Sequence, residues 1–129
     1  MQIYEKYIIV KESDIDDRNH VNNLIYVQWV LEIAQEHWET KTKVDLRNDY
    51  YWILLSHTIN YKAEALLGDN LQLRTFVTKS EGLKSIRQVE IYNNKTERLL
   101  TTSETTWCLM SSKNNKPTRI IPEIQKLFS

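Results

Sequence analysis

The chain has 129 residues and a mass of 15.4 kDa, which is the length of one compact domain spanning 1–129. Hydrophobic residues make up 41% and charged residues 26%, and seventeen Lys and Arg offset seventeen Asp and Glu. That balance excludes a disordered chain and removes the bulk electrostatic pull toward nucleic acid or an anionic membrane. No apolar run approaches the ~20 residues of a membrane span, and residues 1–7 carry no apolar stretch of the signal-peptide kind. A lone cysteine, Cys108, leaves no internal disulfide, in keeping with a cytoplasmic protein.

In chain order, residues 3–11 read as a first strand. From Asn23 to about Thr40 there is no Gly or Pro, and Val27, Val30, Leu31, Ala34 and Trp38 recur at helical spacing. Ile25, Trp29 and Ile33 widen the apolar surface, leaving Gln28, Glu32, Gln35 and Glu39 as a narrow polar stripe. Asn22 or Asn23 supplies the N-cap. A helix apolar around most of its circumference has to be wrapped, and strands are the only wrapping on offer. Residues 53–62 read as a second strand, with Leu54-Leu55 blurring its start. Further on, Leu67-Gly68-Asp69-Asn70, Ser80-Glu81-Gly82, Tyr92-Asn93-Asn94-Lys95 and the stretch from Ser111 to Pro117 are turn chemistry. The runs between them, 71–79, 83–92 and 99–110, place β-branched and aromatic residues in alternation with polar ones, as hairpin-linked antiparallel strands do. A short helix after Pro122 is expected to bury Ile124, Leu127 and Phe128. The predicted class is α+β: one antiparallel sheet of about five strands curled around a long central helix.

Polar side chains crowd the stretch Ser13-Asp14-Ile15-Asp16-Asp17-Arg18-Asn19-His20-Val21-Asn22-Asn23 just before the helix. As a calcium loop it fails, because its twelfth position is Ile25 where a bidentate Glu is required, and its sixth is Asn19 rather than Gly. His20, His37 and His57 are far apart and form no paired metal-ligand motif, so neither metal nor cofactor is expected. An Asp- and Asn-rich loop entering a helix is ordinarily just a capped loop. Here three carboxylates, a histidine and amides gather where a helix offers unpaired N–H groups and the positive end of its dipole, a setting suited to an oxyanion. His37 and His57 read as structural or surface residues, Cys108 as buried filler, and Tyr26 and Trp29 mainly as packing. Tyr50-Tyr51-Trp52 fits either the lining of a channel or packing beneath the helix.

The stretch Ser13-Asp14-Ile15-Asp16-x-x-Asn19-His20-Val21-Asn22-Asn23-x-x-Tyr26-x-x-Trp29-x-Leu31-Glu32 resembles the hotdog-fold thioesterases. It is similar to the plant-type acyl-ACP thioesterases and, more generally, to the 4-hydroxybenzoyl-CoA thioesterase group. Tyr61-Lys62-Ala63-Glu64-Ala65 followed by Gly68-Asp69 resembles a second segment of the same family, as does the exit Lys116-Pro117-Thr118-Arg119-Ile120-Ile121-Pro122. The resemblance implies Asp16 as catalytic carboxylate, His20 as its neighbour and Glu64 as the second acid. Val21, Asn22, Asn23 and Tyr26 at the helix start are expected to contact substrate, the N–H groups near Val21–Asn23 polarising its carbonyl. The chain departs from the plant-type pattern at Arg18, where an Asn stands, and at Ala65, where a Cys stands, which excludes a thiol nucleophile there. Where the wider group often has Gly before the helix, this chain has Asn19, which tolerates left-handed backbone better than most residues.

Two functions follow. The first is hydrolysis of an acyl-CoA or acyl-ACP thioester, with Asp16 as general base or nucleophile and helix amides polarising the carbonyl. The alternative is a non-hydrolytic hotdog protein that binds an acyl thioester or serves as an interaction subunit, since a fold does not fix function. A dehydratase on the same fold fits the loop pattern less well. A single sheet with an exposed edge, in a chain holding one such unit where the plant-type relatives hold two, predicts a homodimer or homotetramer.

Overall fold

The computed structural model describes residues 1–129. Strand β1 (Tyr4–Ile9) leads through a 3-10 turn (Glu12–Asp14) and the polar loop into helix α1 (Asn23–Lys41). A short helix α2 (Val44–Asp49) follows, then strands β2 (Tyr50–Tyr61), β3 (Asn70–Glu81), β4 (Lys84–Asn93) and β5 (Leu99–Ser111), the two-residue β6 (Lys116–Pro117) and helix α3 (Pro122–Leu127). The sheet is antiparallel in the order β1-β3-β4-β5-β2, with β6 beside the end of β5. This is the hotdog fold, a long helix held in a curled sheet.

Helix α1 starts where Asn22 Oδ1 accepts the Leu24 N–H at 2.9 Å. It stops where Thr42 turns extended, and Arg47 Nη1 donates to Glu39 O at 3.2 Å, to Thr42 O and to Thr42 Oγ1, satisfying carbonyls the helix leaves open. Its buried residues are Tyr26, Trp29, Val30, Ile33, Ala34, His37 and Trp38, a stripe at helical spacing. The sheet curls around the helix as expected, and the wrapping is uneven. One face lies on the sheet, while Val27 and Leu31 are only half-buried and Leu24 is exposed. The stripe serves two clusters: Tyr26, Trp29, Val30 and Ile33 pack with Leu71, Leu73, Val89 and Ile91, and Trp38 packs with Leu109, Ile124 and Phe128.

The hairpins β3–β4 and β4–β5 form as expected, the first turning on Gly82 at φ 64°. β2 departs from the expected hairpin series. It runs to the far edge beside β5, because residues 62–69 give the chain enough length to cross the sheet, whereas a tight turn would have forced a hairpin with β3. It also begins at Tyr50 rather than at residue 53, with α2 unforeseen before it. Its pairing with β5 shifts register between Leu54 and Ser56.

Candidate active site

The polar loop is built around Asp16. Its Oδ1 accepts the backbone N–H of Arg18 at 2.9 Å and of His20 at 3.2 Å, and its own N–H donates to His20 O at 2.8 Å. Asn19 closes the turn at φ 64°, the left-handed conformation that Asn tolerates. The Arg18 N–H bond lowers the Asp16 carboxyl below its ordinary range against a smaller desolvation; the His20 N–H and the charges of Arg18 and His20 add to the lowering. Asp16 is thus an ionised carboxylate with one oxygen clasped by the backbone and the other free of protein donors.

The loop is sewn to the crossing segment 62–69. Val21 N donates to Ala65 O at 3.4 Å, Tyr26 Oη accepts the Ala65 N–H at 2.9 Å, and His20 bridges to Leu66. This brings Glu64 to His20: Oε2 lies 2.9 Å from Nδ1, an ion-pair contact without the linearity of a hydrogen bond. Both side chains remain accessible, 36% for His20 and 54% for Glu64. His20 and Glu64, distant in sequence, meet. Asp16 joins them through the backbone of His20 and has no direct contact with Glu64.

The remaining expected site residues have structural attachments. Val21 and Tyr26 are in the core, the Tyr26 phenol raised above its ordinary pKa by burial. The Asn22 side chain caps α1. Among the amides at the helix start, Val21 donates to Ala65 O, Asn22 to Asp14 O, Leu24 to Asn22 Oδ1 and Ile25 to Asn22 O. The Asn23 N–H is the one left without an acceptor, and it sits at the positive end of the helix dipole. No three His, Cys, Asp or Glu side chains converge in metal-binding geometry.

Two histidines set aside in the sequence have clear surroundings. His57 is half-buried, its Nε2 2.5 Å from Ser103 Oγ, and desolvation lowers its pKa. His37 is fully buried, stacked on Tyr4 with centroids 5.3 Å apart, and its Nδ1 accepts from Arg87 Nη1 at 2.8 Å. Sequence reading passed over Arg87. The signal was its strand parity with Val89 and Ile91, which turns it inward among core residues. Beside it lies a cavity of about 220 Å³ whose walls include Tyr50, Tyr51 and Trp52, while Trp52 also meets Trp38 edge-on at 5.7 Å. Both alternatives for the Tyr-Tyr-Trp cluster therefore hold in part: it lines a space and packs against α1.

At the entrance of α1, then, a carboxylate loop, a His–Glu contact and a free helix amide sit together in a hotdog fold. The sequence model of the thioesterase-like superfamily matches residues 10–128, and the chain belongs to that family. No curated protein sequence matches it. Among solved structures it is similar to a 1,4-dihydroxy-2-naphthoyl-CoA thioesterase from Synechocystis (TM-score 0.85, 17% identity, 98% of this chain and 96% of that one). It is similar to a DHNA-CoA thioesterase from Staphylococcus aureus (TM-score 0.83, 21% identity, 99% and 89%). It is also similar to a 12:0-ACP thioesterase from Umbellularia californica (TM-score 0.84, 14% identity), matching 98% of this chain but 51% of that longer one. These likenesses show the fold, and membership of the thioesterase-like superfamily supports thioester hydrolysis in general terms.

Proposed function

We propose that the chain hydrolyses an acyl-CoA or acyl-ACP thioester to free acid and thiol at the entrance of α1, with Asp16, His20 and Glu64 as catalytic groups. The observation that carries this reading is the meeting of His20 with Glu64 at 2.9 Å beside the ionised Asp16. The free oxygen of Asp16 takes a proton from water as that water adds to the thioester carbonyl, or itself attacks to give an anhydride that water then opens. The Asn23 N–H and the helix dipole receive the oxyanion, and the thiolate leaves as the tetrahedral intermediate collapses. Glu64 orients the His20 ring through Nδ1, turning Nε2 toward the leaving sulfur as proton donor. Val21, Asn22 and Tyr26 serve substrate by position: they hold the helix start and the 64–66 segment in register.

A second copy of the chain belongs to this reading, as does a cytoplasmic setting in which Cys108 stays a free thiol. β2 lies at a free sheet edge and carries no Asp, Glu, Lys, Arg or Pro along its twelve residues, so it lacks the usual devices against edge pairing. The half-exposed Val27 and Leu31 of α1 add apolar surface for a dimer or a dimer of dimers.

A second reading is favoured by the attachment of Asp16 Oδ1 to the loop backbone: a protein that binds an acyl thioester without cleaving it. Release of free thiol from acyl-CoAs of several chain lengths and an aromatic acyl-CoA, with acyl-ACP alongside, separates the two. Turnover above the spontaneous rate on any of them supports hydrolysis. Saturable binding with no thiol released supports the second reading.

A further inference from the structure

The Arg87 guanidinium is buried, with 6% of the residue exposed, and no carboxylate accompanies it. Its Nη1 donates to His37 Nδ1 at 2.8 Å and to Thr75 Oγ1 at 3.0 Å, and its charge lies 5.4 Å from the centre of the Phe128 ring. His37 supplies no negative charge: burial, with the Arg87 and Lys41 charges, drives its pKa down to about 3, so it faces Arg87 as a neutral ring. The remaining guanidinium N–H groups find no protein acceptor. A buried cation without a counter-ion is costly and calls for an anion.

Arg87 borders the cavity of about 220 Å³, and so does Arg47 of α2, whose side chain caps the end of α1. Neither arginine forms an ion pair, and no Asp or Glu borders the space. Much of the wall is rings: Trp38, Tyr50, Trp52 and Trp107 line the same space as the guanidinium, with Ser85 as a small polar member. Small-molecule pockets commonly run from about 300 to 1,000 Å³, so this one suits a ligand of one or two rings. The planar fork of arginine matches a carboxylate. A phosphate would leave oxygens facing indole and phenol surface. From Tyr26 to Trp38 the rise along α1 is about 18 Å, so the cavity is a place apart from the His20–Glu64 pair.

We propose that the cavity beneath the C-terminal half of α1 binds a small aromatic carboxylate, its carboxyl group on Arg87 and its ring between the tryptophans. This site is independent of the hydrolytic reading, and its test needs no turnover. Three of the wall residues are tryptophans, so binding reports itself through quenching of their emission, with titration calorimetry as a second measure. The probe is 2-naphthoate; 2-naphthalenemethanol is the uncharged control and decanoate the aliphatic one. Saturable binding of 2-naphthoate is expected, at least tenfold tighter than either control. It weakens at least tenfold in Arg87→Met, which replaces a buried charge by an apolar chain of similar length, and in Ala34→Leu, which fills the cavity from α1. His20→Ala leaves it unchanged. Ala34→Leu retains Arg87 and decides the matter if Arg87→Met does not fold by circular dichroism. Equal binding of the alcohol, tighter binding of decanoate, wild-type affinity in both cavity variants, or loss of binding in His20→Ala overturns the proposal.

Discussion

In the proposed reaction Asp16 serves two ends that pull against each other. The N–H bonds from Arg18 and His20 lower its carboxyl and favour the charged form, yet a carboxylate so stabilised is a weaker base. Asp16→Asn separates the two roles, because the amide oxygen still accepts both N–H groups while the charge is gone. Thiol release in this variant is expected to fall about 100-fold or more, the scale of losing a general base, with the melting temperature little changed. Wild-type turnover would show that Asp16 only shapes the loop. His37 yields a prediction of another kind. Its folded pKa is lowered from 6.5 to about 3, chiefly by desolvation. Below pH 6.5 the unfolded chain takes up a proton that the folded chain refuses, so stability is full above that pH and declines as pH falls toward 3. The limiting slope for one proton is about 1.4 kcal/mol per pH unit. Denaturant midpoints measured between pH 7.5 and 5 are expected to drop for the wild type and to flatten in His37→Gln. An equal slope in both would remove His37 as the cause.

At the scale of elements, the site is a seam between the start of α1 and the segment that crosses from β2 to β3. His20→Ala and Glu64→Ala are expected to lower turnover by similar factors, and the double variant to be barely worse than the poorer single one, as groups acting as a unit behave. Multiplying losses would assign them separate tasks. Asn22→Ala removes the side-chain bond to Leu24 N–H and is expected to cost about 1 kcal/mol in denaturant unfolding. Much of this seam was legible in the sequence: Asn22 as cap, Asn19 in left-handed backbone and the convergence of His20 with Glu64 all follow from short-range chemistry and a motif. The far side of the sheet was not. The crossing of β2 depends on how residues 62–69 are pinned, by Lys62 and Ala63 N–H groups on Leu100 O among others, and no local pattern encodes that. Helix α2 was hidden in the same way, as a single turn-and-a-half with no periodicity to read. His37 stood in view, since it continues the Tyr26, Val30, Ile33 spacing. A histidine in an apolar stripe is easily assigned to the surface when its partner, Arg87, lies on a different strand.

For the whole molecule, the proposed second copy rests on the uncharged edge of β2 and the apolar flank of α1. Light scattering at low micromolar concentration is expected to report at least two copies of the 15.4 kDa chain. A species of one chain alone would overturn the dimer and leave the β2 edge to be shielded by some other means.

The register shift in β2 has a further effect. Trp52 and Leu54 pair with Leu109 and Trp107, while His57, Ile59 and Tyr61 pair with Thr105, Ser103 and Thr101, so odd-numbered β5 residues meet even numbers at one end of β2 and odd numbers at the other. Leu55 is the spare residue that makes this change of phase, and it points outward, 51% exposed. Were it deleted, the same cross-strand pairs would close into an unbroken ladder, Leu54 still opposite Trp107 and Ser56 still opposite Thr106, and only the local bend and extra twist of the bulge would be lost. One outward-facing leucine thus sets the aromatic end and the histidine end of the same strand on opposite number parities while both share one ladder with β5.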